Sequence, residues 1–124
     1  MVPEPRPADH ALTAAWVDAH GQCTIHVLQP RPGTVLVRVA GEIDLATARK
    51  LDEVLQAHVG PAADEVVVDL GAVTFFSVAG LNSLLRARLL ADTAAARLTI
   101  ETEGSRAVRR LFALLPSENL SSTR

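Results

Sequence analysis

The sequence predicts a single α/β domain on a mixed β-sheet of four or five strands, with helices packed on it, in the order β-β-α-β-α-β-α. Three observations carry this. The chain has 124 residues, 48% of them apolar, which is enough for one core and too few for two. The stretch "EVVVDL" (65–70) is a continuous aliphatic run, the pattern of a central strand covered on both faces. Strand and helix signals alternate after an opening hairpin, which implies right-handed crossovers and parallel pairing.

Residues 1–10 carry Pro3, Pro5 and Pro7 in alternation, which favours an extended segment, so 1–21 reads as a flexible N-terminal arm. Within it, Ala11, Leu12, Ala15 and Trp16 could share one face of a short helix. Trp16 would then pack on the domain or face a partner. The domain itself is expected to span 22–116. "CTIHVLQ" (23–29) and "TVLVRVAG" (34–41) are β-rich, and the "PRPG" between them reads as a hairpin loop.

In "EIDLATARKLDEVLQAHVG", Leu45, Ala48, Leu51, Leu55 and Val59 recur at helical spacing. Asp44 is placed to cap this helix, and Gly60-Pro61 to end it. After "EVVVDL" and the turn "TFFSVAG", a helix beginning near Ala79 should bury Leu81, Leu84, Leu85 and Leu89. "RLTIET" alternates as a strand. Ser105 can cap a last helix with Val108, Leu111, Phe112 and Leu115 inward and Arg106, Arg109 and Arg110 in water. Residues 117–124 read as a tail.

Composition excludes several functions. Net charge is −2 with a pI near 6.0, too little positive field for a nucleic-acid binder. Aromatic residues are 3% and tyrosine is absent, so a base-stacking platform is not expected. No apolar run approaches the roughly 20 residues of a membrane span. The N-terminus lacks the apolar core of a signal peptide, so a cytoplasmic protein is expected. Cys23 is the sole cysteine, so no internal disulfide can form. It reads as a buried strand thiol in preference to a redox sensor.

A search for catalytic chemistry finds little. There is no phosphate-binding glycine loop, dinucleotide fingerprint or nucleophile elbow. His20, Cys23 and His26 are spaced by three, but in a strand residues three apart face opposite ways, so no metal is expected. Asp69 closes the aliphatic run, either lining a functional edge or accepting backbone bonds in the next turn. Glu42 and Asp44 follow the preceding strand. If the two strands are neighbours, "GEID" and "TFFSVAG" share one edge, with an acidic loop, an exposed turn (Phe75, Phe76) and a helix N-terminus together. Such an edge suits partner binding better than catalysis, since it has no general base, metal or nucleophile pair. The chain is therefore expected not to be an enzyme and to need no cofactor.

The residues "VLVRVAGEIDLATARKLDEVL" and "VVVDLGAVTFFSVAGLNSLL" resemble the STAS domain family of bacterial anti-sigma factor antagonists. Members typically show G-E-[LI]-D after the second strand, and D-L-x-x-V-x-F-x-D-S-x-G-L at the third strand and following helix. The likeness covers roughly 22–116. It implies a partner switch, in which the unphosphorylated antagonist binds an anti-sigma factor that is also a serine kinase. The sigma factor is freed, and phosphorylation of the D-S-x-G serine ends the contact. A phosphoserine adds about two negative charges at a desolvated surface.

This sequence departs from the pattern. Ser77 stands at the aspartate position, and Val78 at the phosphoacceptor position, where no hydroxyl exists. The preferred reading is an antagonist without serine phosphorylation control, or under another control such as oxidation at Cys23. The other is a switch shifted by one residue to Ser77. The partner-binding residues implied are Glu42, Asp44, Phe76, Ser77, Val78 and Asn82. The resemblance also allows an accessory subunit binding the ATPase subunit of a membrane transporter. A small-ligand sensor and an enzyme rank lower. The oligomeric state is expected to be a monomer or weak dimer.

Overall fold

The computed structural model describes residues 12–115. The reading of 1–10 as extended and of 117–124 as a tail falls outside them. Five strands form one sheet in the spatial order β1-β2-β3-β4-β5. These are β1 (Leu12–Val17), β2 (Cys23–Arg31), β3 (Thr34–Ile43), β4 (Glu65–Phe76) and β5 (Arg97–Glu101). The helices are α1 (Leu45–His58), α2 (Val78–Ala94) and α3 (Arg106–Phe112). β1, β2 and β3 pair antiparallel, and β3, β4 and β5 parallel, giving the mixed α/β sheet.

One element differs outright. Residues 12–17, read above as a possible short helix within an arm, are strand β1, paired antiparallel to β2 from Leu12↔Leu28 to Val17↔Thr24. Local alanine content favours a helix, but an open edge of β2 supplies a ladder, and six residues are too few for a stable lone helix. Trp16 is half-buried and packs on the core.

The core lies on one face of the sheet. Val66, Val68 and Leu70 of β4 are fully buried with Val37, Val39, Leu98 and Ile100, under Leu51, Leu55 and Leu84 of the helices. Each of these side chains contributes about 1.5–3 kcal/mol by leaving water. The expectation that β4 is covered on both faces does not hold. Its alternate residues Glu65, Val67 and Asp69 are only half-buried, and the charged ones pair across the open face, Arg31 with Glu65 at 3.8 Å and Arg38 with Asp69 at 3.5 Å.

The caps follow the sequence. Asp44 accepts from the Thr47 amide at 2.9 Å, and the Thr47 hydroxyl accepts from the Asp44 amide at 2.7 Å, a reciprocal cap of α1. Ser105 caps α3, accepting from Val108 N at 3.1 Å while donating to the Val73 carbonyl at 2.6 Å. Ser83 joins the helices, with its hydroxyl 3.1 Å from the Ala48 carbonyl. Two helix-face expectations fail. Leu45 and Leu89 are exposed, because α1 begins at the rim of the sheet and the buried stripe of α2 runs through Leu81, Leu84, Ala87 and Ala91.

Candidate functional site

The sequence could give the two motifs only a shared edge if β3 and β4 were neighbours, and they are. Glu42 stands opposite Phe75 and Ile43 opposite Phe76, and the Ser77 amide donates to the Ile43 carbonyl at 3.0 Å. Asp44 and Ser77 thus follow paired residues, and each caps the helix that follows it. Two helix N-termini open side by side on one rim.

The side chains on this rim divide into two sets. Glu42, Asp44 and Asn82 are exposed. Val78 is 63% exposed and Leu45 likewise 63%, and Phe75, opposite Glu42 in the sheet, is half-exposed. Phe76 belongs to the other set. It is buried, its ring 6.3 Å from that of Phe112, so it cannot serve as the surface contact expected above. Adjacent strand residues face opposite ways, so one phenylalanine of the pair must turn inward. Gly80 lets it do so, since a Cβ there would come within 2.8 Å of the Phe76 ring and 3.0 Å of Ile43.

Ser77 is half-buried, and its hydroxyl accepts from the Gly80 amide at 3.2 Å. It is engaged in capping α2. Val78 is the first helical residue and presents its side chain to solvent. The Asp44 carboxyl is held below the usual carboxylate range, first by the Thr47 amide and then by the Thr47 hydroxyl, so it is ionised at neutral pH.

Between α1 and α2, a groove of about 320 Å3 runs back from the rim. Leu45, Arg49, Asn82 and Arg86 line it, and Arg86 donates to Asp52 at 2.8 Å. Arg49 and Arg86 were not singled out from the sequence, and Leu45 was read there only as part of a buried helical stripe. The signal for Leu45 was its place directly after a cap, where no preceding turn covers a side chain.

The remaining candidates lie elsewhere. Asp69 does not close its strand, which continues to Phe76. It accepts from the Gly71 amide at 2.9 Å within the strand, not in a turn, and pairs with Arg38. Cys23 is 1% exposed, and burial, then the charges of Asp18 and Asp44, push its thiol up to about 11. A thiol so placed forms little thiolate at neutral pH, which argues against oxidative control there. His20 lies in an exposed turn. Among the described residues no group of His, Cys, Asp or Glu is arranged to hold a metal ion. Among the same residues no helix is long and apolar enough to cross a membrane.

A family model described as "Mlab, STAS domain" matches residues 26–120. No curated protein sequence matches significantly. Among solved structures, an anti-sigma factor antagonist from Mycobacterium paratuberculosis is 30% identical, over 74% of this chain and 76% of that one, with a TM-score of 0.66. The Bacillus cell fate determinant SpoIIAA in its phosphorylated form is 16% identical over 81% and 88%, also at 0.66. The murine anion transporter Solute Carrier 26 family member A9 is 12% identical over 77% of this chain and 17% of its own, at 0.59. The last two likenesses are of fold.

Proposed function

The chain belongs to the STAS domain family, and from that premise we propose that it is an anti-sigma factor antagonist, a cytoplasmic protein that acts by binding and not by catalysis. Its partner is an anti-sigma factor of the serine kinase type, and binding releases a sigma factor. The observation that carries the reading is the rim itself. Glu42 and Asp44 supply negative charge for steering, and Val78, Leu45 and Phe75 supply apolar area for burial, at the ends of two paired strands and the starts of the helices that follow them. The 30% identity with an anti-sigma factor antagonist over three-quarters of both chains supports the same reading.

Control by phosphorylation is absent in this proposal. Val78 has no acceptor oxygen, and the Ser77 hydroxyl is half-buried and bonded to Gly80 N. A kinase must align its acceptor closely, and a one-residue shift redirects the side chain. Contact residues are Glu42, Asp44, Ser77, Val78 and Asn82, with Phe75 in place of the buried Phe76. The transporter-subunit alternative is not favoured, since the transporter neighbour offers a likeness of fold alone.

The test is affinity capture from the native organism with wild-type and Val78→Asp baits. Aspartate at a first helical position suits the helix dipole, so the variant should fold. An anti-sigma factor held by wild type and weakened at least about tenfold by Val78→Asp is expected. Equal retention by both baits, or recovery of a transporter ATPase instead, overturns the proposal.

A further inference from the structure

The groove between α1 and α2 opens onto the rim, because Leu45 and Asn82 belong to both. Its floor is uncharged. Ala48 and Ala79 are small, and the Ser83 hydroxyl is within hydrogen-bond reach of both their carbonyls. Charge stands on the walls, and it is unevenly satisfied. The carboxylates of the two helices are Asp52, Glu53 and Asp92, and each already holds a cation: Arg86, Lys50 and Arg88 in turn. Arg49 is left over. Its side chain is exposed and makes no ion pair or hydrogen bond among the described residues. It also lines a second hollow with Asp44 and Leu45 at the start of α1. There the Asp44 carboxyl is engaged by the Thr47 amide and hydroxyl.

On the strand side of the rim, the Glu42 side chain is exposed and likewise unpaired among the described residues. The rim thus carries an unpaired anion at the end of β3 and an unpaired cation on α1. Arg49 lies one turn beyond the exposed Leu45, roughly 6 Å along the helix axis. Water satisfies a free guanidinium in such a place. A partner that seats on Leu45 and Val78 strips that water, and an unpaired charge so covered opposes binding. The partner must therefore bring the missing anion.

We propose that Arg49 reads a carboxylate on the partner, an Asp or Glu side chain that enters the mouth of the α1–α2 groove while a basic group meets Glu42. This rests on the reading of the rim as the anti-sigma contact, and adds which chemistry the partner presents and where. Guanidinium and carboxylate pair through two parallel N–H···O bonds, so Arg49 fixes direction as well as distance. Opposite charges on one apolar contact admit the partner in one orientation and reject a rotated or wholly basic one.

The experiment measures the affinity of the full chain for the anti-sigma factor retained in the capture above, at about 0.1 M and about 1 M salt. Wild type, Arg49→Gln, Arg49→Glu and Val78→Asp are compared. Arg49 is exposed, so its variants should keep the wild-type circular dichroism. Arg49→Glu should weaken binding at least about tenfold at the lower salt, with Arg49→Gln between it and wild type. The gap between Arg49→Glu and wild type should narrow at the higher salt, because screening relieves a repulsion and does not repair a distorted surface. Binding lost in Val78→Asp but kept in Arg49→Glu overturns the carboxylate assignment and leaves the rim standing. A loss in Arg49→Glu that salt does not change overturns it too. If wild type retains no anti-sigma factor, or no variant weakens the complex, the rim reading and this inference fall together.

Discussion

Replacing Gly41 with alanine should destabilise the fold far more than the same change at Gly21. Both glycines have positive φ, +97° and +70°. An alanine in that region costs about 1–2 kcal/mol at either position. At Gly21 nothing lies within 4 Å of a new Cβ. At Gly41 the new Cβ would fall on the Gln22 carbonyl oxygen, well inside contact distance. That oxygen is backbone and accepts from the Glu42 amide at 2.8 Å. Moving it adds an overpacking cost of about 1–3 kcal/mol and puts at risk a hydrogen bond worth about 0.5–1.5 kcal/mol. The total for Gly41→Ala is roughly 3–6 kcal/mol, against about 1–2 for Gly21→Ala. Urea denaturation measures both, provided the slopes agree with wild type. A cost for Gly41→Ala within about 0.5 kcal/mol of the Gly21→Ala value would falsify the steric argument, since the strain common to both would then be the whole effect.

Three further outcomes follow. Ser105→Ala removes a cap and leaves the Val73 carbonyl and Val108 amide without their partner in a buried place, so urea unfolding should show a loss of about 2–3 kcal/mol. Val78→Ser places a hydroxyl at the exposed position, so the variant should take up phosphate from the proposed kinase-type anti-sigma partner while wild type does not. Phosphate on wild type, lost in Ser77→Ala, would reverse that assignment. Cys23 titrates higher in the fold than when unfolded, about 11 against 9.0. The unfolded thiol therefore releases its proton first, and stability present below pH 9 should decline between pH 9 and 11. The urea midpoint of Cys23→Ala should lack that part of the decline, and parallel pH profiles for the two proteins would contradict it.

Much of this fold was legible because its signals are local. The Asp44 and Ser105 caps need only an oxygen three residues before an amide, and both lie where the sequence put them. "EVVVDL" gave the central strand by composition alone. What needed the third dimension was the choice between faces and partners. "LTAAWV" is ambiguous by itself, and pairing with β2 makes it a strand. Phe75 and Phe76 differ by one residue, and register shifts between Arg38 and Ala40 and between Gly41 and Glu42 break the count that would have separated them. Leu45 and Leu89 fit a helical stripe by spacing, but coverage depends on how far the sheet extends beneath each helix. At the rim, the sequence supplied Glu42, Asp44, Val78 and Asn82. It did not supply the α1–α2 groove, which exists only once the Ser83 hydroxyl and the Arg86–Asp52 pair hold two helices together.

That joint has a thermodynamic consequence for recognition. With each loop closed by a cap and the two helices tied by Ser83, the proposed binding rim is already ordered before a partner arrives. Association then loses little backbone freedom on this side, and the main unfavourable contribution left is immobilisation of a few side chains, about 0.5–1.5 kcal/mol each. Binding of this kind should carry a negative heat-capacity change proportional to the apolar area of Leu45, Phe75 and Val78 that leaves water, without the larger signature of a segment that folds as it docks.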